Sequence, residues 1–308
     1  GLFEDSGRVV LTGAMEGTAK LSFFERLVSS NNPNPGKFED IGAEARKVFQ
    51  IDSFEGIKAE YQRGLSNSFG VSHTIHLSPG GDAPSSYEFG ANYSQGKHLL
   101  VSRTAASGDV QAQYLCSVTP NLSLKAQAQL TSTPHQSNAM CNLDYKGSDW
   151  YGSLKFGSFA QWGLSYLQSV SQNLSLGVDL TYLGRLPYGQ PPMCVSTAAV
   201  RYADDNVAGV LQYSSNARVQ ASLVRRIKDY ATFATELSVD LDSRESVCAL
   251  GYEYTGPMGT LKTNITTDKK VTTLLEKPLS ELSAVSCSAE LDQKTGQCKY
   301  GIGIQFLQ

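Results

Sequence analysis

Apolar and polar residues alternate with a period of two from Phe54 to the end of the chain, and no other sequence feature restricts the fold as much. The segment NLSLKAQAQL places Leu122 and Leu124 on one side, and Lys125 with three uncharged polar residues on the other. The segment NLSLGVDLTY repeats this plan around Asp179. Successive side chains of a β-strand point to opposite faces. The alternation therefore predicts strands with one apolar face and one polar face.

Turn-forming sequences such as SPGGDAP, KGSD and TGPMG divide this region into segments. Counting between them predicts about nineteen strands of roughly 9–12 residues each. The predicted strands lie near residues 54–64, 67–78, 85–95, 97–106, 109–118, 121–131, 136–146, 149–158, 160–170, 173–184, 192–203, 206–213, 216–226, 229–241, 245–254, 258–267, 270–277, 281–291 and 295–306.

Strands of this length favour a membrane-spanning barrel over a soluble sheet. Strands of soluble proteins average about five or six residues, whereas strands that cross a bilayer have about 9–11. Aromatic residues near the predicted strand ends are typical of the girdles of membrane barrels; they are Tyr93, Tyr145, Trp150, Tyr182, Tyr202, Tyr213 and Tyr254. The predicted fold is all-β and transmembrane, a closed barrel with a wet interior. A soluble β-sandwich such as a lectin is the alternative, because alternation alone also fits it.

In a membrane barrel the apolar face meets lipid and the polar face lines water. The predicted lipid-facing set is Leu122, Leu124, Leu174, Leu176, Val178, Leu180, Leu237 and Val239. The polar face of the predicted strands carries uncharged Ser, Thr, Gln and Asn more than charged residues.

Residues 1–53 differ from the rest of the chain, because their apolar residues recur at helical spacing. The pattern predicts one amphipathic helix over residues 17–29 and a second over residues 36–49. The chain is thereby divided into an N-terminal helical segment, 1–53, and a barrel, 54–308.

The second predicted helix follows the helix-breaking sequence NNPNPG. Asn34 is its predicted N-cap and Pro35 its first helical residue, a position at which proline is favoured. Phe38, Ile41 and Val48 form its apolar stripe. We expect the stripe to pack against another part of the protein, since an amphipathic helix must bury its apolar side.

Composition and motifs exclude several function classes. The 308 residues carry 26 Lys and Arg against 29 Asp and Glu, a net charge of -3 that argues against nucleic-acid binding. His73 and His76 are three residues apart, so in a strand they point to opposite faces and do not converge on a metal. The six cysteines include no C-x-x-C pair and are interpreted as small apolar residues. No catalytic motif occurs, so we predict no enzyme, cofactor or metal.

Several longer sequences resemble a known family. NPGKFEDI precedes the first strand, EGIKAEYQRGLSNSF covers the first hairpin, and YKGSDWYGSLKFG and YLQSVSQNLSLGVDLTY lie at mid-chain. Together they resemble the channel-forming subunit of the translocase of the outer mitochondrial membrane, within the mitochondrial porin superfamily. The resemblance runs collinearly from about Pro35 to the end. The first 30 residues have no match, and the family's C-terminal extension is expected to be absent.

The resemblance implies a barrel of nineteen strands, closed by a parallel contact between the first and last, with the second N-terminal helix inside the lumen. It also implies that the last strand carries a sorting signal, which the outer-membrane assembly machinery reads. Lys299, Gly301, Ile304 and Phe306 match the polar, glycine and apolar positions of that signal.

The implied function is a passive protein-conducting channel in the outer mitochondrial membrane, working without a cofactor. Expected partners are precursor proteins with cationic presequences, small single-helix subunits, a receptor subunit, membrane lipid and further copies of the chain. By alternation, six carboxylates should line the pore as a presequence path: Glu60, Glu88, Asp144, Asp179, Glu236 and Asp240. Basic residues such as Lys58 and Lys155 should point the same way, which leaves open a solvated lumen without acidic clusters.

A voltage-dependent anion channel is the alternative, because that family shares the architecture and a similar N-terminal helix. Such a channel passes metabolite anions and would require a net basic lumen. The NPG sequence before the helix and the GLSN sequence in the first hairpin favour the import pore.

Overall fold

The structure is a computed structural model that describes residues 32–79, 85–132, 137–184, 191–228 and 230–308. Nineteen strands form one sheet in the described residues. They are β1 (Gly56–Ser66), β2 (Phe69–Leu77), β3 (Ser86–Gln95), β4 (His98–Ala105), β5 (Val110–Ser117), β6 (Leu122–Leu130), β7 (Asn138–Lys146), β8 (Trp150–Gly157), β9 (Gln161–Ser169), β10 (Leu174–Leu183), β11 (Met193–Ala203), β12 (Val207–Ser214), β13 (Arg218–Ile227), β14 (Ala231–Asp240), β15 (Glu245–Gly256), β16 (Gly259–Thr266), β17 (Lys270–Ser280), β18 (Ser283–Asp292) and β19 (Gln297–Leu307).

The sheet closes into a barrel because β1 pairs with β19. This contact is parallel and runs from Gly56 opposite Gly301 to Gln62 opposite Leu307, whereas sequential neighbours such as β1 and β2 pair antiparallel. An odd number of strands cannot close by antiparallel contacts alone. Closure leaves the sheet without an unpaired edge, which a barrel in lipid requires.

The predicted barrel and its strand count are confirmed. Every strand bound lies within three residues of the sequence prediction, the largest difference being the end of β17 at Ser280 rather than 277. The turns explain this accuracy, since most hairpins are joined by a few residues of the expected turn-forming types.

The two faces of the barrel differ in chemistry. Large exposed apolar side chains such as Ile57, Trp162, Val178, Leu237 and Phe306 share one face, which we call the apolar face. The residues between them form the polar face. It carries all eleven Asp and Glu residues of the strands: Glu60, Glu88, Asp144, Asp179, Glu236, Asp240, Glu245, Glu253, Glu276, Glu290 and Asp292.

The N-terminal segment is less helical than predicted. A 3₁₀ turn covers Phe38–Asp40 and one short helix, α1, covers Ala43–Phe49. The prediction of a continuous helix over 36–49, capped by Asn34 with Pro35 as its first residue, is wrong. The Asn34 side chain instead accepts a hydrogen bond from the Gly36 amide at 3.0 Å, and Gly36 has φ +83°, a left-handed conformation outside any right-handed helix.

The first predicted helix, 17–29, lies outside the described residues. None of the helices in the described ranges is long and apolar enough to cross a bilayer.

Candidate functional site: a strap along the polar face

Residues 32–54 run along the polar face of the barrel, and we call this segment the strap. It begins beside the β7–β8 turn, where the Asn34 amide donates hydrogen bonds to the carbonyl oxygens of Gly147 and Trp150, each at 2.9 Å. The Ser169 hydroxyl donates to the Pro33 carbonyl at 2.7 Å. Asn34 therefore fixes the start of the strap to the barrel instead of capping a helix.

Apolar side chains of the strap pack against small and apolar residues of the polar face in two clusters. Ile41 and Phe38 pack with Leu167, Ala199 and Val210. Ala45, Val48 and Phe49 pack with Ala208, Val224 and Ala234. Ile41 is 4% exposed and Val48 is 1% exposed, so the stripe read from the sequence is the buried side of the strap.

Two glycines of the barrel allow the strap to approach closely. A Cβ atom on Gly177 would lie 2.9 Å from the Phe38 ring and 2.5 Å from Leu167. A Cβ atom on Gly251 would lie 2.8 Å from Val48 and 3.0 Å from Phe49. Both distances to the strap are shorter than normal van der Waals contact, so each glycine provides space for an aromatic or β-branched side chain of the strap.

Ion pairs reinforce the first half of the strap. The Lys37 ammonium lies 2.6 Å from the Asp144 carboxylate, whose side chain is 5% exposed. Burial lowers the pKa of Lys37, but hydrogen bonding and attraction from Asp144 outweigh it, so the pKa is raised above its ordinary value. Lys155 of the barrel contacts Glu39 at 3.1 Å and Asp179 at 3.2 Å, and so joins the strap to β10.

Further ion pairs hold α1. Glu44 contacts Arg201 at 2.7 Å and Arg226 at 2.8 Å, so one strap carboxylate links β11 to β13. Lys47 lies 4.0 Å from Glu253, which also has Lys262 at 4.0 Å. Through these contacts α1 is fixed over the strands on which its apolar side packs.

The strap ends on the terminal strand. The Ser288 hydroxyl donates to the Phe54 carbonyl at 2.7 Å, and Ser53 donates to Glu290 at 2.8 Å. The Phe54 ring lies over β19, since a Cβ atom on Gly301 would be 2.6 Å from it and one on Gly303 would be 3.0 Å away. The glycines of the last strand are therefore matched to Phe54, a contact that the sequence did not reveal.

Beyond α1 the polar face forms a recess lined by β1–β4, β16–β19 and the last residues of the strap. Two adjoining volumes of about 340 and 440 Å³ share Asp52, Lys58 and Glu60. Glu276 lines one of them, and Glu88 and Arg103 line the other. We call Asp52, Glu60, Glu88 and Glu276 the acidic recess. None of these four carboxylates is in an ion pair among the described residues. They outnumber the two basic residues of the recess, Lys58 and Arg103.

The six sequence-predicted pore carboxylates all project from the polar face but do not form one path. Asp144 and Asp179 are engaged with the strap through Lys37 and Lys155. Asp240 contacts Arg218 at 3.7 Å, and Glu236 accepts a hydrogen bond from Gln220. Only Glu60 and Glu88 share the acidic recess, together with Asp52 and Glu276, which sequence reasoning missed. Alternation identifies the face of a residue but not which strands a covering segment leaves free.

The terminal-strand residues lie on both faces. Gly301 and Lys299 alternate onto the polar face, whereas Ile304 and Phe306 lie on the apolar face and are 38% and 50% exposed. Ile304 is registered opposite Ala59 of β1, and Phe306 opposite Tyr61. The strand thus presents apolar side chains outward along the whole β1–β19 contact.

No cluster of metal-binding side chains occurs in the described ranges. All six cysteines are free and lie on the apolar face, as shown by cross-strand partners such as Leu124 for Cys116 and Leu237 for Cys248. His73 stacks with Tyr87 on the apolar face, whereas His76 meets Phe54 on the other. The arrangement offers a solvated, charged surface.

Comparison with known proteins decides the family. A model of the eukaryotic porin family matches residues 34–303. The chain belongs to the eukaryotic porin family. Among curated members, a probable mitochondrial import receptor subunit TOM40-2 of Arabidopsis thaliana is 29% identical over 93% of this chain and 94% of its own length. The Xenopus tropicalis homologue of mitochondrial import receptor subunit TOM40 is 30% identical over 88% of this chain and 84% of its own.

The Homo sapiens TOM40 homologue is 28% identical over 88% of this chain and 78% of its own length. This eukaryotic porin is therefore similar to TOM40 subunits along most of its length. A solved variant of the Rh. blastica porin has a TM-score of 0.49 over 78% of this chain and 98% of its own, at 11% identity.

Proposed function

We propose that this porin is a protein-conducting channel of the outer mitochondrial membrane, through which precursor proteins are imported. The observation that carries the proposal is the acidic recess beside the strap, in a barrel similar to TOM40 import receptor subunits. The apolar face lies against lipid and the polar face lines the lumen, as the chemistry of membrane barrels requires. The membrane spans are strands β1–β19.

The strap then lies inside the lumen. Its support is chemical, because α1 packs on small residues and ion-pairs with carboxylates and bases, and such residues face inward in a membrane barrel. Phe38 and Val48 contact the wall at Gly177 and Gly251, and Ile41 packs in the Leu167 cluster on the same face. The strap narrows the pore on the side of β7–β16, and only its last residues, 52–54, border the acidic recess.

The acidic recess would attract cationic presequences. Its four carboxylates exceed its two bases, so the local potential is negative, and a water-filled cleft between low-dielectric walls focuses that potential. Carboxylates that are already in ion pairs, such as Asp144 with Lys37 and Asp179 with Lys155, contribute little to a passing chain. The proposed presequence path is therefore Glu60 and Glu88 with Asp52 and Glu276, rather than all six predicted carboxylates.

A voltage-dependent anion channel is less well supported by the charges. The polar face of the strands carries eleven basic residues against its eleven carboxylates, so it has no net basic character. The basic residues are Lys58, Arg103, Lys125, Lys146, Lys155, Arg201, Arg218, Arg226, Lys262, Lys270 and Lys299. A channel for metabolite anions would be expected to carry an excess of positive charge.

Single-channel recording in planar bilayers tests the function. A cationic presequence peptide should block the wild-type channel, and the triple variant E60Q/E88Q/E276Q should bind it about tenfold more weakly, because charge attraction is removed without a change of volume. The control variant D204N/D205N/D242N removes the same charge from turns. Equal block of all three channels would contradict the acidic path, and a preference for small anions would favour the metabolite channel.

The remaining proposed partners follow from the similarity to TOM40 subunits. They are small single-helix subunits and a receptor subunit of the translocase on the apolar face, with self-association of the barrel. Lys299, Gly301, Ile304 and Phe306 are proposed as the sorting signal that the assembly machinery reads on the closing strand.

A further inference from the structure

Charged side chains on the apolar face are few, and they share a sign and a location. All strand carboxylates project from the polar face, and of the fourteen strand Lys and Arg residues only Arg63, Arg225 and Lys277 project from the apolar face. Cross-strand partners confirm their orientation, because they are registered opposite Val71, Phe233 and Val285. The outward charge of the described strands is therefore purely basic.

The three basic residues lie at one end of the barrel, which we call the Gln308 rim because β19 ends there. The parallel β1 ends at the same rim, as do β13 and β17 by the antiparallel order of the sheet. Arg63 lies three residues before the end of β1, Arg225 two before the end of β13, and Lys277 three before the end of β17. The opposite rim carries no outward basic residue in the described strands.

Each basic residue lies between two large apolar or aromatic residues of its own strand. Tyr61 and Leu65 flank Arg63 on the apolar face, and Leu223 and Ile227 flank Arg225. Leu275 and Leu279 flank Lys277 in the same way. Two residues of a strand rise about 6.6 Å, less when the strand is tilted. An Arg or Lys side chain can extend over that height, so each cation can pass its outer apolar neighbour and reach the headgroup layer.

A cation among lipid-facing residues needs an anionic partner. None of the three side chains has an ion pair or a hydrogen bond within the described residues. Strands lie about 4.8 Å apart, so Lys277 and Arg63, three strands apart, are about 14 Å from each other, and Arg225 is about 19 Å from Lys277. A helix that crosses the bilayer is about 10–12 Å wide, so one such partner helix does not reach all three positions. Three separate positions fit a ligand that is present all around the barrel.

We propose that the Gln308 rim binds anionic phospholipid headgroups through Arg63, Arg225 and Lys277, each cation holding a lipid phosphate. The phosphate supplies charge-assisted hydrogen bonds that the polar atoms of these side chains lack within the chain. The lipid site is independent of what passes through the lumen. It also fixes the height of the barrel in the bilayer at one rim.

The test measures lipids retained by the purified barrel. The protein is washed in detergent containing equal amounts of phosphatidylglycerol and phosphatidylcholine, and retained lipids are counted by native mass spectrometry. Wild type should retain mainly phosphatidylglycerol. The variant R63Q/R225Q/K277Q should lose this preference, with about a fivefold loss of phosphatidylglycerol affinity for each charge removed.

The control variant R244Q/K269Q/K294Q removes the same charge from turns at the opposite rim and should retain phosphatidylglycerol as wild type does. Equal loss in both variants would overturn the proposal, because general charge attraction would then explain retention. Wild type without lipid preference would also overturn it, and an acidic membrane protein lost only from the R63Q/R225Q/K277Q variant in native membranes would identify protein as the ligand instead.

Discussion

The carbonyl oxygen of Phe54 lies only 2.2 Å from the position that a Cβ atom on Gly301 would occupy. Phe54 ends the strap and Gly301 belongs to the closing strand, where it is registered opposite Gly56. The barrel therefore closes at the place where the strap turns into β1. A side chain at residue 301 would collide with backbone, which has little freedom to move.

Gly301→Ala should impair folding more than alanine at Gly303 or Gly64. At Gly303 the nearest atom is the rotatable Ser286 hydroxyl, so Gly303→Ala should be milder, and at Gly64 nothing lies within 4 Å. The refolding yield in synthetic vesicles, measured by heat-dependent gel mobility, should increase in the order Gly301→Ala, Gly303→Ala, Gly64→Ala. Equal yields for all three would show that Phe54 does not constrain the strand, and that any defect in mitochondria comes from reading of the signal.

Val48→Asn should release α1 from the wall. Val48 is 1% exposed against Ala208, Val224 and Ala234, so the amide would be buried without partners at a cost of roughly 2–4 kcal/mol. Gln50→Asn changes an exposed residue at the end of α1 and should have little effect. In a variant without native cysteines, a thiol at Ala234→Cys should react with an aqueous maleimide much faster when Val48→Asn is also present. An unchanged rate would mean that the strap is held without Val48.

Lys37→Met should destabilise the barrel by about 1–3 kcal/mol, since it leaves the buried Asp144 carboxylate unpaired while Lys37 itself remains partly solvated. The ion pair stabilises the fold over the whole neutral range, because the raised pKa of Lys37 keeps the ammonium charged until strongly alkaline pH. Urea unfolding in detergent, followed by tryptophan fluorescence, gives the difference in the free energy of unfolding. Lys125→Met is the control, because Lys125 has no ion pair with any residue that the structure describes. The double variant K37M/D144N should lose less unfolding free energy than the sum of the losses in the two single variants.

The sequence predicted the barrel more fully than the site. Alternation and turns are local signals, so the positions of all nineteen strands could be read from them. The course of the strap over the polar face could not be predicted, because it depends on contacts with residues far away in the chain. Gly177 and Gly251 gain their meaning only when Phe38 and Val48 lie over them. Likewise, a carboxylate such as Asp179 is visible as inward-facing, but its pairing with Lys155 and the strap follows from tertiary contact.

Thiol accessibility checks the assignment of the two faces. Asp179→Cys and Glu236→Cys should react with a membrane-impermeant reagent in proteoliposomes, whereas Val178→Cys and Leu237→Cys should be protected. All six native cysteines lie on the apolar face, so the wild-type protein should stay largely unlabelled until detergent is added. The reverse pattern would place the apolar face inside, and the lumen assignment would be wrong.

Depth along the closing strand should determine the cost of a charge. Ile302 is the middle residue of β19, whereas Phe306 lies near its end, and both are on the apolar face. A lysine costs about 2–4 kcal/mol at the bilayer midplane and about 0–1 kcal/mol near the interface. Ile302→Lys should therefore abolish most folding into synthetic vesicles, Phe306→Lys should fold nearly as wild type, and Gln305→Lys on the polar face is the control.

Import into isolated mitochondria then separates lipid energetics from the sorting signal. Synthetic vesicles lack the assembly machinery, so they report only the cost of placing the charge in lipid. If the machinery reads Phe306, the Phe306→Lys chain should fold in vesicles but fail to become carbonate-resistant in mitochondria, whereas Gln305→Lys should succeed in both. Membrane integration of Phe306→Lys at the wild-type yield would remove Phe306 from the proposed signal, and the apolar residues of β19 would then serve only to face lipid.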